Sequence, residues 1–157
     1  MAVLLIDGEE LAGAKQNRVL NTSVLVPERK ELVIPVSCTE HGRWHARSAA
    51  FSESGSVLSA SVRARKSRSV SDSLRATRTF RSNQGEVWEG IDRLQDATCV
   101  RSDTSAMRDV YVAKADALKE AQAAFSIQEG QCGSLVVIDG AAAGLDLLSS
   151  PAAYSRL

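Results

Sequence analysis

The apolar residues of this chain come in short runs closed by turn signals, which limits it to small strands and a few helices. Val3-Leu4-Leu5-Ile6 stops at Asp7-Gly8, a strong turn pair. Asn21–Val26 and Glu31–Cys38 read as two further strands, separated by Pro27 and the charged Glu28-Arg29-Lys30. Proline cannot donate to a ladder, so Pro35 predicts an edge strand or a bulge. Leu135–Ile138 returns to strand. Val3–Gly8 followed by Gly13 echoes Val136–Gly140 followed by Gly144, each reading as a strand, an Asp-Gly turn and a second short strand. The echo is either two related elements of one sheet or coincidence, and it is too short for a solenoid.

Helical spacing takes over in the second half. Val70, Leu74 and Thr77 keep it, with Ser71 or Ser73 as N-cap. Asn83 followed by Glu86 opens a second helix with an apolar stripe of Val87, Trp88, Ile91 and Leu94. A third and longer helix is expected from about Thr104, with Met107, Val110, Tyr111, Leu118, Ala121 and Phe125 on one face and Gly130 and Gly133 ending it. Ser48–Ser73, rich in serine and poor in apolar residues, reads as a mobile loop or irregular hairpin. The expected fold is α+β: a mixed or antiparallel sheet with hairpins, packed against two or three helices.

At 157 residues the chain suits a single domain over 1–157 with a real core. Only 4% of residues are aromatic, so that core must be aliphatic. No apolar run approaches the roughly 20 residues needed to cross a bilayer. The Met1–Ile6 run is too short for a signal-peptide core and has no basic residue ahead of it. A cytoplasmic location and no membrane partner are therefore expected. Cys38, Cys99 and Cys132 are odd in number and lack a Cys-x-x-Cys pair, which predicts reduced thiols, no disulfide framework and no metal site.

Net charge is zero but unevenly spread. Arg63, Arg65, Lys66, Arg68, Arg75, Arg78 and Arg81 face the single acid Asp72 in their stretch. Such asymmetry can steer an anionic partner. With overall neutrality and only Phe80 as a neighbouring aromatic, the sequence disfavours nucleic acid.

Two polar clusters could carry chemistry. In Gly13-Ala14-Lys15-Gln16-Asn17-Arg18, glycine permits close backbone approach, and Lys15 and Arg18 suit phosphate or carboxylate. Neither a Walker loop nor a dinucleotide fingerprint is present. The competing reading is a polar turn whose Gln16 and Asn17 satisfy backbone groups. The densest cluster is Ser37-Cys38-Thr39-Glu40-His41-Gly42-Arg43-Trp44-His45, with Glu40 suited to acid/base work, Arg43 to clamping an anion and Trp44 to stacking. Equally, Glu40 and Arg43 could pair with each other and Trp44 pack as core. Cys38 with His41 or His45 lacks a third orienting group. Gln84 and Trp88, one helical turn apart, can face one pocket.

These stretches, with Asn21-Thr22-Ser23-Val24-Leu25-Val26-Pro27 and Ile34–Trp44, resemble the ADP-ribosylglycohydrolase- and rhodanese-phosphatase-associated domain, a mostly bacterial family. Gln84, Trp88 and Gly133–Gly140 fit it too. The resemblance implies that Gln16, Asn17, Arg18, Glu40, Arg43 and Trp44 line any site, on a nucleotide-like or ADP-ribose-like anion. It also implies further sequence before Val3 and after Leu157, so the chain is expected to be short at both ends. No cofactor and no reaction are specified. Two functions follow: a module that binds or processes such an anion, or a non-catalytic protein-interaction or structural domain whose polar motifs stabilise the fold.

Overall fold

The computed structural model describes residues 2–156. The chain divides into two compact units, the first ending at Ala113 and the second beginning at Lys114. Among the described residues every strand pairing is antiparallel, and helices stand beside strands in each unit, so the α+β expectation holds.

The first unit contains β1 (Val3–Leu5), β2 (Glu9–Gly13), β3 (Arg18–Leu20), β4 (Val24–Val26), β5 (Val36–Cys38) and β6 (Phe51–Val57). Three helices follow: α1 (Ala60–Thr77), α2 (Gln84–Thr98) and α3 (Met107–Ala113). The main sheet has the order β5-β3-β2-β6, and β1 pairs with β4 in a separate ribbon. β5 is an edge strand, one of the two outcomes expected from Pro35, but it takes up only the last three residues of the expected Glu31–Cys38 strand and begins after the proline. Asp7-Gly8 does not close a hairpin, because β1 and β2 belong to different sheets. The Asp7 carboxylate is instead taken by the Lys66 ammonium and the Ser67 hydroxyl.

The core is small and aliphatic: Val19, Leu58, Val62, Val87, Ile91 and Met107. Val62, Lys66 and Val70 form the buried stripe of α1. This overturns the reading of Ser48–Ser73 as a loop or hairpin, since β6 and most of α1 lie there. The helix begins well before Ser71, with Ser59 at its N-cap. Serines survive inside it because Ser69 and Ser71 donate back to the carbonyls of Lys66 and Ser67. Tertiary burial outweighs their weak propensity.

α2 starts as expected. The Asn83 side chain accepts from Gly85 N and Glu86 N, and Asn83 Nδ2 donates to Glu86. The helix crosses α1 at Gly90, where a Cβ would stand 2.9 Å from a Val62 methyl. The expected long third helix is broken: Lys114 leaves helical geometry at φ −106, ψ 12, and α4 (Ala115–Ala123) follows. Met107 and Val110 are buried, whereas Leu118 and Phe125 are exposed.

The second unit adds β7 (Gly133–Ile138), β8 (Ala141–Leu147) and the short α5 (Pro151–Tyr154) to α4. β7 and β8 form the expected hairpin, with Asp139 and Gly140 at φ 50 and 79. Those left-handed conformations explain the Asp-Gly pair.

Gly90→Val should overpack the α1–α2 crossing and lower stability by about 1–3 kcal/mol. Thermal unfolding followed by circular dichroism checks this; an unchanged midpoint would mean that the helices do not touch there.

Candidate functional site

The two polar clusters meet at one corner of the main sheet. Ala14–Asn17 is the turn between β2 and β3, and the second cluster leaves β5, which pairs with β3. Thr39 N donates to Asn17 O at 3.0 Å, bringing the ends of both clusters together.

Glu40 and Arg43 lie inside this corner, 0% and 1% exposed. A guanidinium carries five N–H donors, and here each has an acceptor. Arg43 Nε donates to Glu40 Oε1 at 2.9 Å, and Nη2 donates to Glu40 Oε2 at 2.7 Å and Asn17 Oδ1 at 3.3 Å. Arg43 Nη1 donates to Ala14 O at 2.8 Å and to His45 O at 3.0 Å. Glu40 is equally committed. Its Oε1 also accepts from Thr104 Oγ1 at 2.8 Å, and its Oε2 from Asn17 N at 3.3 Å. About four acceptor positions are available to a carboxylate, and all four are used.

The loop before α3 is sewn to the same corner. Gly42 N donates to Thr104 O at 2.9 Å, and Met107 N to Thr39 O at 3.0 Å. A Cβ at Gly42 would stand 2.7 Å from Thr104 Cα, so glycine is what allows the close approach.

Glu10 is a participant that the sequence reading missed. It is 1% exposed, and Thr39 Oγ1 donates to its Oε1 at 2.6 Å. Strand alternation was the available signal, since Glu10 shares the inward face of β2 with Ala12. Burial pushes the Glu10 carboxyl above its ordinary range; the Thr39 and Ser54 hydroxyls and Arg108 oppose this without cancelling it. Burial acts the same way on Glu40, but the Arg43, Thr104 and Asn17 hydrogen bonds outweigh it and hold that carboxyl low. Glu10 Oε2 and Gln16 Nε2 are buried with no protein partner among the described residues.

The remaining predicted residues go separate ways. Gln16 and Asn17 are buried. Arg18 sits opposite Cys38 in the β3–β5 ladder, with Nη1 against Cys38 Sγ. Burial pushes the Cys38 thiol up, against the opposing pull of Arg18. Gln84 docks α2 onto the edge strand, accepting from Cys38 N at 2.8 Å and donating to Cys38 O at 2.9 Å. Trp44 projects outward, 71% exposed. Trp88 packs against the His41 ring at a centroid distance of 5.2 Å, and His41 Nε2 lies 3.3 Å from Asp92. No group of His, Cys, Asp and Glu among the described residues could hold a metal ion. A cavity of about 350 Å³ lies within the second unit, lined by residues that include Gln128, Gln131, Pro151 and Ser155 and none of the predicted ones.

Residues 1–157 match the family model of the ARG and Rhodanese-Phosphatase-superfamily-associated Protein domain. The chain belongs to that family. No curated protein and no solved structure matches it. No described helix is long and apolar enough to cross a membrane. Family membership thus covers both polar clusters, together with the corner that they build.

The two carboxyls should give opposite pH signatures. A raised folded pKa at Glu10 means that the native state holds the proton more tightly, so its contribution falls as pH rises above the ordinary carboxylate range. Glu10→Gln should therefore raise the melting temperature at pH 7 and lose that advantage near pH 4. The depressed Glu40 contributes above the ordinary range and loses its contribution as pH falls through the folded pKa. Glu40→Gln should cost most at pH 7. Melting curves across pH test both; parallel profiles for the two variants would refute the assignment.

Proposed function

We propose that this member of the family acts as a non-catalytic interaction or structural domain, with its two polar signature stretches serving as a corner lock. The observation that carries this reading is the saturation of Glu40 and Arg43. An incoming anion would have to displace Glu40, Asn17 or a backbone carbonyl from Arg43, leaving a buried group unpaired at a cost of about 1–3 kcal/mol. A general base needs a lone pair facing its substrate. In Glu40 all are occupied, and the depressed pKa weakens it further as a proton acceptor.

A nucleotide-like or ADP-ribose-like ligand would have to rely on groups outside the lock. Arg18, half-buried on β3, and the exposed Trp44 are the candidates among the signature residues. The two readings therefore separate cleanly by experiment.

Thermal-shift titration with ADP-ribose, NAD and inorganic phosphate at millimolar concentration should leave the melting temperature unchanged. A saturable shift that disappears in Arg18→Ala or Trp44→Ala would overturn the proposal. In urea denaturation, Arg43→Met alone should cost about 3–5 kcal/mol, because it strands a buried carboxylate. The double variant Glu40→Leu/Arg43→Met should cost much less than the sum of its single variants. Additive losses would mean that the pair does not act as a unit.

A further inference from the structure

We propose that the solvent face of α1, with the segment that follows it, docks single-stranded nucleic acid. This goes beyond the corner lock and does not depend on it. In sequence the basic stretch is a crowd of charges beside serines; folding into one helix sorts them. Lys66 turns inward onto Asp7 and Leu20 O, and Arg63 is half-buried beside Asp7. Arg75 pairs with Asp72 at 3.2 Å. Arg65, Arg68, Arg78 and Arg81 are exposed and make no ion pair among the described residues. Arg65, Arg68 and Arg75 share one helical face, because steps of three and seven residues return to nearly the same side. They span roughly 15 Å along the axis.

The chemistry of the face selects its partner. Every exposed cation on α1 is arginine, whose planar fork matches phosphate oxygens in pairs. Ser61, Ala64, Ser71, Asp72 and Ala76 complete the face; the one large apolar side chain exposed on α1, Leu74, lies to one side of it, and a single leucine is a poor anchor for a bilayer. Beyond the helix, Phe80 stands between Arg78 and Arg81, 42% exposed. Its carbonyl accepts from Asn21 Nδ2 at 2.9 Å, which ties its backbone to the end of β3. An exposed aromatic flanked in sequence by Arg78 and Arg81 suits an unpaired base, which can stack where a paired base cannot. Asp72 is the one acid on α1 and is taken by Arg75, while Glu89, Asp92 and Asp96 lie on α2, so the neutral total conceals a local excess of positive charge on α1.

The test is fluorescence anisotropy with a short labelled oligothymidylate at low and moderate salt. Binding should weaken with salt along a log–log slope of about −2 to −3, the value for three or four neutralised phosphates on a single strand. Arg65→Ala/Arg68→Ala should lower affinity at least about tenfold and reduce the slope's magnitude by about 1.4. Phe80→Ala should lower affinity at least about fivefold. Far-UV circular dichroism checks that the helix persists in each variant. Absence of binding at low salt would overturn the proposal, as would unchanged affinity in the arginine double variant. Equal affinity for a duplex of the same length, for polyglutamate or for phosphatidylserine vesicles would also overturn it, because each removes the basis for choosing a single strand.

Discussion

The first unit closes on the buried Glu40–Arg43 pair. Two charges removed from water are tolerable only when their geometry is good and their remaining hydrogen-bonding capacity is met. Here the pair meets that requirement by recruiting the turn between β2 and β3, the stretch after β5 and the loop before α3. Each segment therefore supplies a group that the others need. A loop that moved away would expose a carbonyl or strand a charge, so the pair makes several otherwise irregular stretches mutually dependent.

A second buried charge anchors the helical layer. Lys66, 0% exposed, reaches Asp7 and the Leu20 carbonyl from the middle of the α1 stripe. Burial drives its pKa down, and Asp7 pulls against that. These polar anchors supplement an apolar core of modest side chains, as an aromatic-poor composition demands. Gly90 lets α1 and α2 approach closely enough for those side chains to touch.

β1, β4, β5, β7 and α2 were legible because their signals are local, whereas β3 and β6 were not. Pro35 marks an edge, Asn83 caps a helix and Asp139-Gly140 supplies the left-handed pair that a tight hairpin uses. The first half of α1 was hidden because a lysine occupies the middle of its buried stripe, so Val62-Lys66-Val70 does not read as apolar periodicity. Glu10 was hidden for the same reason, being a carboxylate on the inward side of a strand. Both depend on partners distant in sequence, Asp7 for the one and Thr39 for the other, and no window along the chain contains them together. The two polar clusters do meet at one corner of the sheet. What local reading could not weigh was how many of its hydrogen bonds are already made.

That count separates two arginine populations of identical chemistry. Arg43 lies in the densest polar constellation of the chain, and all five of its donors end on protein atoms. Arg65 and Arg68 lie in a serine-rich stretch with no recognisable motif, yet both face solvent without an ion-pair partner among the described residues. Motif density therefore points toward the interior, and the exposed, unpaired arginines lie where the sequence is plainest. The physical reason is general. A buried polar group must be satisfied by specific neighbours, which produces a crowded and distinctive pattern. A group that meets its partner at the surface needs only the right face and enough exposure, and a helix provides both with three-residue spacing alone.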